Sequence, residues 1–332
     1  MDRRHSKVPR CCARVAGHYD SRRPVRLVTY NVRYFGHGLK GLASTAGSKA
    51  RISDAIASLA PLPELIALQE VEDRSFRAGV AHRKGHASER QLDAFMRHLS
   101  SAFHQRGLVM PYSAWYFPAH VYGVGAFRLY TTGLAVLVNM QKLHAINGHG
   151  AAAQHITHVV SEKLRKVKQT RIAAHLHLED VHGKKFHLFN THLSLPTFWA
   201  REFWSQPAKM GFGMNQLAEA KSIAEYAKAT AKGDPYLVVG DFNTAPGTPV
   251  YQQLTRGSGL TGAQEFLKQI DPQNPKGFAT AGFMHLRMHL DHVFGSGVEF
   301  TDLNDTRSFG DVHNRFSGLS DHTPIIAGFE PH

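Results

Sequence analysis

Short apolar runs bounded by polar residues recur along the chain, and this pattern is typical of buried β-strands. The runs that predict strands cover residues 25–31, 65–69, 172–178, 186–193, 236–240, 288–295, 298–303 and 323–329. In three other stretches apolar residues recur at helical spacing or alanine dominates. We predict helices there, at residues 49–59, 88–104 and 215–231.

The order of these elements indicates a mixed α/β fold. A short polar stretch with one glycine separates the strands at residues 172–178 and 186–193, which predicts a hairpin. Glycine-broken, β-rich runs at residues 112–138 add further strands. Because strands alternate with helices and hairpins are present, we expect a mixed rather than a purely parallel sheet. No linker interrupts the pattern, so we predict one domain over residues 25–330, preceded by a tail at residues 1–24.

Length and composition indicate a soluble globular protein. The chain has 332 residues, 42% of them hydrophobic, which is enough for one large core. No stretch approaches the roughly 18 apolar residues of a transmembrane helix, and no apolar secretion segment follows the basic first residues. We therefore predict a cytoplasmic protein. The two cysteines, Cys11 and Cys12, are adjacent and poorly placed to bridge each other.

An excess of positive charge favours a polyanionic partner such as nucleic acid. The formal net charge is +13 and the isoelectric point is near 9.8. Residues 1–26 contribute +6 of this charge and have no apolar pattern. We predict that the tail is disordered, either as a nucleic-acid-binding arm or as a solvated leader. A second basic run at residues 163–171 is typical of a solvated face, but would contact phosphates if it lay beside a catalytic site.

Six short segments carry metal-binding or proton-transferring side chains at or near the ends of predicted strands. They are Thr29-Tyr30-Asn31, Leu68-Gln69-Glu70, Asn190-Thr191-His192-Leu193, Gly240-Asp241-Phe242-Asn243, Leu290-Asp291-His292 and Ser320-Asp321-His322. Ligands and catalytic groups collect where the buried strands of an α/β sheet end. We therefore expect these segments to meet at one rim of a sheet.

Three of the segments offer oxygen ligands for a hard divalent cation. Glu70 ends an apolar strand, and Asn31 and Asp321 could complete the sparse ligand shell of Mg²⁺, which keeps several waters. Taken alone, Asn31 is equally typical of a turn or a helix cap, and Glu70 of a surface carboxylate.

An acid and an amide follow the strand at residues 236–240. Alternation in an extended chain would direct Asp241 and Asn243 to the same side. Asp241 is suited to act as a general base that orients water, while Asn243 steadies a phosphate oxygen. The alternative is an Asx-type turn ahead of the Pro246-Gly247 dipeptide.

Histidines in two segments are candidates for proton transfer and anion binding. His192 ends a strand, where a lone histidine is more often structural. Asp291 could fix the tautomer of His322 and keep it protonated opposite an anionic phosphate. Other locally paired histidines lack the spacing of a zinc motif, and we predict that they lie on the surface. They are His82, His86, His155, His158, His175 and His177.

The six segments, in this order and at these spacings, resemble the endonuclease/exonuclease/phosphatase superfamily over residues 25–330. The resemblance implies a four-layer α/β sandwich with two mixed β-sheets packed face to face and helices outside. It also implies hydrolysis of a phosphate ester that depends on Mg²⁺ or Mn²⁺. Glu70 would be the main metal ligand, with Asn31 and Asp321 near the metal.

The resemblance also implies catalytic roles for the remaining residues of the segments. Asp241 would activate the attacking water. Asn243 and His192 would hold the phosphate. His322, oriented by Asp291, would stabilise the pentacovalent state.

One departure from the superfamily pattern bears on the substrate. Abasic-site endonucleases of the superfamily usually have tyrosine where His192 stands, so the chain resembles the histidine-containing branch. We expect a phosphodiesterase or nuclease that acts on nucleic acid. One alternative is a sphingomyelinase-like phospholipid phosphodiesterase, which the aromatic segment at residues 194–213 favours. Two others are a phosphatase of a phosphorylated small molecule and a non-catalytic binding scaffold. No protein partner is implied.

Overall fold

Fifteen β-strands and five α-helices form the part of the chain that the computed structural model describes, which comprises residues 24–35, 46–72, 91–124, 127–157, 170–195, 210–271, 273–283 and 285–332. The strands are β1 (Val25–Asn31), β2 (Leu65–Val71), β3 (Tyr112–Val124), β4 (Phe127–Asn139), β5 (Leu143–Ala145), β6 (Ala153–His155), β7 (Ile172–Asp180), β8 (Lys185–His192), β9 (Tyr236–Asp241), β10 (Thr261–Gly262), β11 (Ala281–Phe283), β12 (Leu286–Met288), β13 (Asp291–Ser296), β14 (Val298–Asp302) and β15 (Ile325–Pro331). The helices are α1 (Ala46–Ala57), α2 (Gln91–Gln105), α3 (Met214–Ala231), α4 (Pro249–Gln252) and α5 (Ala263–Phe266).

Two large mixed sheets contain most of the strands. The first has the order β14-β15-β1-β2-β4-β3, and the second has the order β10-β13-β9-β8-β7-β5, with β6 paired to β7. Each sheet has one parallel pair, β1 with β2 in the first and β8 with β9 in the second. The other neighbouring pairs in both sheets are antiparallel. β11 and β12 form a separate two-stranded antiparallel sheet.

Alternate positions of the strands contribute to different core layers. Between the sheets, Leu27 of β1 and Leu188 of β8 belong to one apolar cluster. On the outer face of the first sheet, Val28 shares a cluster with residues of α1 and α2. On the outer face of the second sheet, Phe189 shares a cluster with residues of α3. The order helix, sheet, sheet, helix confirms the predicted four-layer α/β sandwich with two mixed β-sheets face to face.

Two strands begin later than the sequence pattern predicts. β13 begins at Asp291 instead of residue 288, and β15 begins at Ile325 instead of residue 323. Asp291 therefore stands at the start of a strand, whereas the sequence pattern placed it inside one, and His322 precedes β15 as it precedes the predicted strand. The reason is topological, because β13 and β15 run antiparallel to β9 and β1 and begin where those strands end.

Some predicted features lie outside the described residues. The tail is described only at Pro24, and most of the aromatic segment, residues 196–209, is outside as well. The division into a tail at residues 1–24 and one catalytic domain at residues 25–330 stays a prediction. Among the described residues, no helix is both long enough and apolar enough to cross a bilayer.

The pairing of β8 with β9 depends on a glycine at position 240. Gly240 has a φ of +140°, and a Cβ there would collide with the carbonyl oxygen of Thr191 on β8. The two strands are register partners at this point. A residue without a side chain therefore lets the strand that ends in Asp241 lie against the strand that ends in His192.

We expect Gly240→Ala to lower the free energy of unfolding by about 3 kcal/mol or more, because an unfavourable φ and a backbone collision combine. Gly247→Ala is the matched control. Its φ is +77°, but no atom lies within 4 Å of a Cβ at that position, so the loss should be about 1 kcal/mol. Urea unfolding followed by circular dichroism measures both losses. Equal small losses in the two variants would contradict this account.

Candidate active site

The ends of the two parallel strand pairs meet at one edge of the sandwich. In the first sheet Asn31 ends β1 and Glu70 lies near the end of β2, and in the second sheet His192 and Asp241 end β8 and β9. Parallel strands end at the same edge, so each sheet contributes two polar side chains to this edge. Asn31 Nδ2 donates a hydrogen bond of 3.0 Å to Asp241 Oδ2, which joins the two sheets. We call this edge the rim.

Hydrogen bonds fix the orientation of the Asn31 amide. Its Nδ2 also lies 3.4 Å from Glu70 Oε1, and the backbone N–H of Arg33 donates to its Oδ1 at 3.0 Å. The Ser320 hydroxyl donates to the Asn31 backbone carbonyl at 2.7 Å. Asn31 therefore turns its NH₂ group toward two carboxylates and links Glu70 to Asp241.

The backbone at Glu70 departs from regular strand geometry. Its φ is +55°, and the pairing of β2 with β4 shifts register between Leu68 and Val71. Positive φ is uncommon for residues other than glycine, and β-bulges re-aim side chains next to active sites. Glu70 lines a recess together with Arg171 and His192.

The electrostatic surroundings of Glu70 suit a cation. Burial raises the pKa of the Glu70 carboxyl, and the neighbouring Asp321 carboxylate raises it further. A divalent ion would relieve this repulsion. In addition, Asp241, Asp291 and His322 each offer a ligand atom, and these atoms lie within 4.8 Å of one another. Carboxylate oxygens are the ligands that Mg²⁺ and Mn²⁺ prefer, so the carboxylates of Glu70, Asp241, Asp291 and Asp321 fit such an ion, whereas a protonated His322 would not bind it.

Asp241 is the central carboxylate of the rim. It is buried, and the backbone N–H of Asn243 donates to its Oδ1 at 2.9 Å. The Nε2 atoms of His192 and His322 lie 3.4 Å and 3.7 Å from its Oδ2. Burial raises the pKa of Asp241 to about 7. The His322 cation lowers this pKa and the Asp291 carboxylate raises it, but burial is the largest of the three effects.

A buried carboxylate holds the ring of His322. His322 Nδ1 lies 2.8 Å from Asp291 Oδ2, and Asp291 directly opposes Asp241 in the pairing of β13 with β9. Burial by itself lowers the pKa of His322, but the Asp291 and Asp241 carboxylates outweigh it and hold the pKa well above its usual value. His322 is therefore an imidazolium at neutral pH.

The second histidine of the rim, His192, is uncharged. Burial lowers the pKa of His192 well below its usual value, and the cations of Arg171 and His322 lower it further. His192 is thus neutral at neutral pH. The rim combines a neutral imidazole and a charged one on either side of the Asp241 carboxylate.

Asn243 lies in a turn, so the expectation that strand alternation aligns it with Asp241 is wrong. β9 ends at Asp241, and Asn243 has a φ of +50°. Its backbone N–H bonds to the carboxylate two residues earlier, which is the Asx-type turn that was the alternative. The amide Nδ2 donates to the carbonyl oxygen of Leu193 at 3.0 Å. Asn243 therefore orients Asp241 through its backbone.

Asp321 faces the rim from the loop that precedes β15. Its Oδ2 forms an ion pair of 2.8 Å with Arg33 Nη1, and its Oδ1 lies 3.3 Å from the Ser320 hydroxyl. All eight residues that the sequence singled out are thus part of one connected cluster at the rim. They are Asn31, Glu70, His192, Asp241, Asn243, Asp291, Asp321 and His322.

A layer of polar residues beneath the rim was not assigned a role from sequence. Gln69 Nε2 donates to Asn190 Oδ1 at 2.8 Å and to Thr29 Oγ1 at 3.0 Å. Asn190 Nδ2 donates to the carbonyl oxygen of Leu68 at 3.0 Å. Gln69 belongs to the first sheet and Asn190 to the second, so these bonds tie the sheets together behind the rim. Their signal in the sequence is a polar residue at an inward position of an apolar strand.

Arg171 is a further rim residue whose position the sequence did not establish. Residues 163–169 of its basic run lie outside the described residues. Arg171 is buried and lines the recess with Glu70 and His192. Within the described part of the chain, its Nε has no hydrogen-bond partner. A positively charged side chain therefore lines the recess.

The sequence also matches a known family of enzymes. Residues 28–322 match the model of the Endonuclease/Exonuclease/phosphatase family. The chain belongs to this family. Members of the Endonuclease/Exonuclease/phosphatase family are phosphoesterase hydrolases and generally use a divalent metal. No curated protein matches the chain in sequence.

Solved structures share the fold of this family member at low sequence identity. The human Nocturnin catalytic domain with bound sulfate anion is 19% identical, with a TM-score of 0.59 over 93% of each chain. A mannosyl-6-phosphatase of Bacteroides thetaiotaomicron is 14% identical, with a TM-score of 0.57 over 92% of this chain and 99% of that one. ANGEL2, a 2',3'-cyclic phosphatase, is 14% identical, with a TM-score of 0.59 over 94% of this chain and 96% of that one.

We expect His322 to carry protons on both ring nitrogens at neutral pH, while His192 carries one. Long-range ¹H–¹⁵N NMR spectra of the imidazole rings measure this difference. Asp291→Asn should lower the pKa of His322, because it removes the hydrogen-bonded carboxylate. Asp93→Asn, an exposed change in α2, is the control and should leave it unchanged. Titration of His322 together with exposed histidines in the unaltered protein would contradict the assignment.

Proposed function

We propose that this chain is a divalent-metal-dependent phosphodiesterase that cleaves nucleic acid by in-line attack of water on phosphorus. One observation carries the proposal: the buried Asp241 carboxylate lies beside the His322 imidazolium. Hydrolysis of a phosphate ester needs a group that accepts a proton from water and a cation that meets the growing negative charge. The rim holds both within one cluster.

We assign Asp241 as the general base. A carboxylate whose pKa is raised to about 7 is well matched to accept a proton from water at neutral pH. Asn243 N–H binds one carboxylate oxygen and Asn31 Nδ2 binds the other, so its orientation is fixed. The water oxygen forms its bond to phosphorus while its proton passes to Asp241 and the ester oxygen leaves.

We assign the anion-binding side of the site to His322, His192, Asn243 and Arg171. His322 is held through Nδ1 by Asp291, and its Nε2 would meet the charge of the pentacovalent state. His192 and the second N–H of the Asn243 amide would donate to phosphate oxygens. Arg171 would add a positive charge at the recess.

We assign metal binding to Glu70, with Asn31 and Asp321 beside it, and propose Mg²⁺ or Mn²⁺ as the ion. When bound, the ion would neutralise charge on the phosphate. Asp321 is paired with Arg33, and Asn31 turns its NH₂ group toward Glu70. We therefore assign the direct contact to Glu70 and an orienting role to the other two residues.

The charge of the chain supports a nucleic-acid substrate. The net charge is +13, and a polyanionic strand would be attracted to a protein of this charge. A phosphatase acting on a phosphorylated small molecule is the second candidate. It is favoured by the likeness in fold to the mannosyl-6-phosphatase. The phospholipid alternative rests on the aromatic segment, of which the described residues include the exposed Phe212.

We expect Asp241→Asn and His322→Ala each to reduce kcat by about 10²-fold or more, because each removes one of the two central groups. Circular dichroism and thermal unfolding should show that both variants remain folded. Asp93→Asn and His149→Ala, which change exposed residues of the same types, are the matched controls and should retain full activity. Retained activity in either rim variant would refute its assignment.

Chelation should abolish hydrolysis, and added Mg²⁺ or Mn²⁺ should restore it. Glu70→Gln should raise the metal concentration required for half-maximal activity by about tenfold or more, because it removes the proposed direct ligand. Glu225→Gln, an exposed carboxylate on α3, is the control. Hydrolysis that is indifferent to chelators, or an unchanged metal requirement in Glu70→Gln, would contradict the metal assignment.

A panel of substrates under identical Mg²⁺ separates the candidate functions. We expect cleavage of plasmid DNA or RNA, with kcat/KM falling steeply as salt rises, because a polyanionic strand releases counterions on binding. Turnover of mannose 6-phosphate or inositol phosphates with a weak salt dependence would establish the small-molecule phosphatase instead. Turnover that requires sphingomyelin vesicles would establish the phospholipid alternative.

A further inference from the structure

A second cluster of metal-binding side chains lies on the outer face of the second sheet. His177 of β7 and His187 of β8 are direct register partners, and Asp234 lies between α3 and β9. His187 precedes His192 by five residues, about 17 Å along the strand, and points to the opposite face. This cluster is therefore separate from the rim. The prediction that His175 and His177 are surface histidines is corrected, because both are half-buried on this face of the sheet and contact His187.

The geometry of the cluster is compact. His177, His187 and Asp234 each offer a ligand atom, and these atoms lie within 4.8 Å of one another. The rings of the two histidines stack nearly in parallel, with centroids 4.1 Å apart and planes 7° apart. His187 Nε2 lies 3.5 Å from Asp234 Oδ2, which is long for a hydrogen bond. The His187 backbone N–H donates to the Pro235 carbonyl at 2.9 Å and fixes the segment that carries Asp234.

Two buried ring nitrogens in the cluster lack hydrogen-bond partners. They are His177 Nε2 and His187 Nε2; in the described part of the chain the first has no hydrogen-bond partner and the second has only the long contact with Asp234. His187 is only 5% exposed. Buried polar atoms in native proteins are almost always satisfied, so exceptions call for an explanation. Two such nitrogens near one carboxylate are donor atoms for a ligand, and both can reach one ion if the partly exposed His177 ring turns out of its parallel stack on His187.

A third histidine supplies the outer support that metal-bound histidines usually have. His175 Nε2 lies 2.8 Å from His187 Nδ1. A metal-ligating histidine normally donates its other ring N–H to a neighbour, which leaves the opposite nitrogen free to bind the ion. Burial lowers the pKa of His175 to about 4, with further lowering by His187 and His177, so its neutral ring can accept this bond. Burial also lowers the pKa of His177 and of His187, and metal binding requires their neutral forms.

We propose that His177, His187 and Asp234 form a second metal site, selective for Zn²⁺ or a similar transition-metal ion, with His175 as a positioning residue. Two imidazoles and a carboxylate suit Zn²⁺, which takes four ligands at about 2.0–2.2 Å, the fourth here from solvent. The oxygen-rich rim suits a harder ion, so the two sites differ in selectivity. The Asp234 side chain is 54% exposed and can move onto the ion.

The site would brace the strands that reach the rim. An ion there joins β7, β8 and the segment that leads into β9. β8 and β9 end in His192 and Asp241. Metal binding at this site should therefore stabilise the fold without taking part in hydrolysis.

Titration of the chelator-treated, full-length protein with Co²⁺, a spectroscopic substitute for Zn²⁺, tests the proposal. We expect one tightly bound ion with the intense visible absorption of a four-coordinate site, displaced by Zn²⁺, in addition to any weakly absorbing six-coordinate ion at the rim. Glu70→Gln should give the same spectrum and affinity, because the rim is not involved. This arm separates the outcome from that of the proposed phosphodiesterase activity. Several weak sites with a six-coordinate spectrum would overturn the proposal.

Variants of partly exposed ligands locate the site. Asp234→Asn and His177→Gln should weaken Co²⁺ binding by about tenfold or more, with unchanged circular dichroism. His182→Gln, an exposed histidine in the turn between β7 and β8, is the matched control and should bind as the unaltered protein does. Zn²⁺ should raise the unfolding temperature of the unaltered protein and of His182→Gln, but not that of Asp234→Asn. Unchanged affinity in both ligand variants would overturn the assignment.

Discussion

The burial of a carboxylate where two sheets touch is the constraint on which the rim depends. A desolvated charge is costly unless hydrogen bonds and an opposite charge surround it. For Asp241 these come from Asn31 of the other sheet, from the N–H of Asn243 and from the imidazolium of His322. The same burial raises the pKa of Asp241. One physical cause therefore accounts both for the polar network and for the basicity of its central group.

Cross-sheet bonds below the rim make this arrangement sensitive to the docking of the sheets. Gln69 and Asn190 bond across the interface among otherwise apolar side chains, so the sheets have one preferred registration. A small slip would separate Asn31 from Asp241. Positive φ angles at Glu70 and Asn243 place further unfavourable geometry at the same edge. Such backbone strain persists where the surrounding structure fixes it and where function uses it.

Sequence patterns predicted local features well and long-range pairings poorly. The apolar run of residues 25–31 is β1 itself, and the structure brings the residues of the family pattern together at the rim. Strand alternation does not apply at Asn243, because β9 ends at Asp241 and a local Asx-type turn follows it. The cluster of His177 and His187 was missed for a related reason. A hairpin was predicted there, but the register that stacks the two rings depends on the details of its turn.

The order of strands in the first sheet has a consequence for how the protein matures on the ribosome. β1 lies between β2 and β15, so one of its edges stays open until residues 325–331 have been synthesised. An open edge invites pairing with other nascent chains. His322 lies just before β15 and leaves the ribosome together with it. Synthesis of β15 must therefore precede both closure of this side of β1 and completion of the rim.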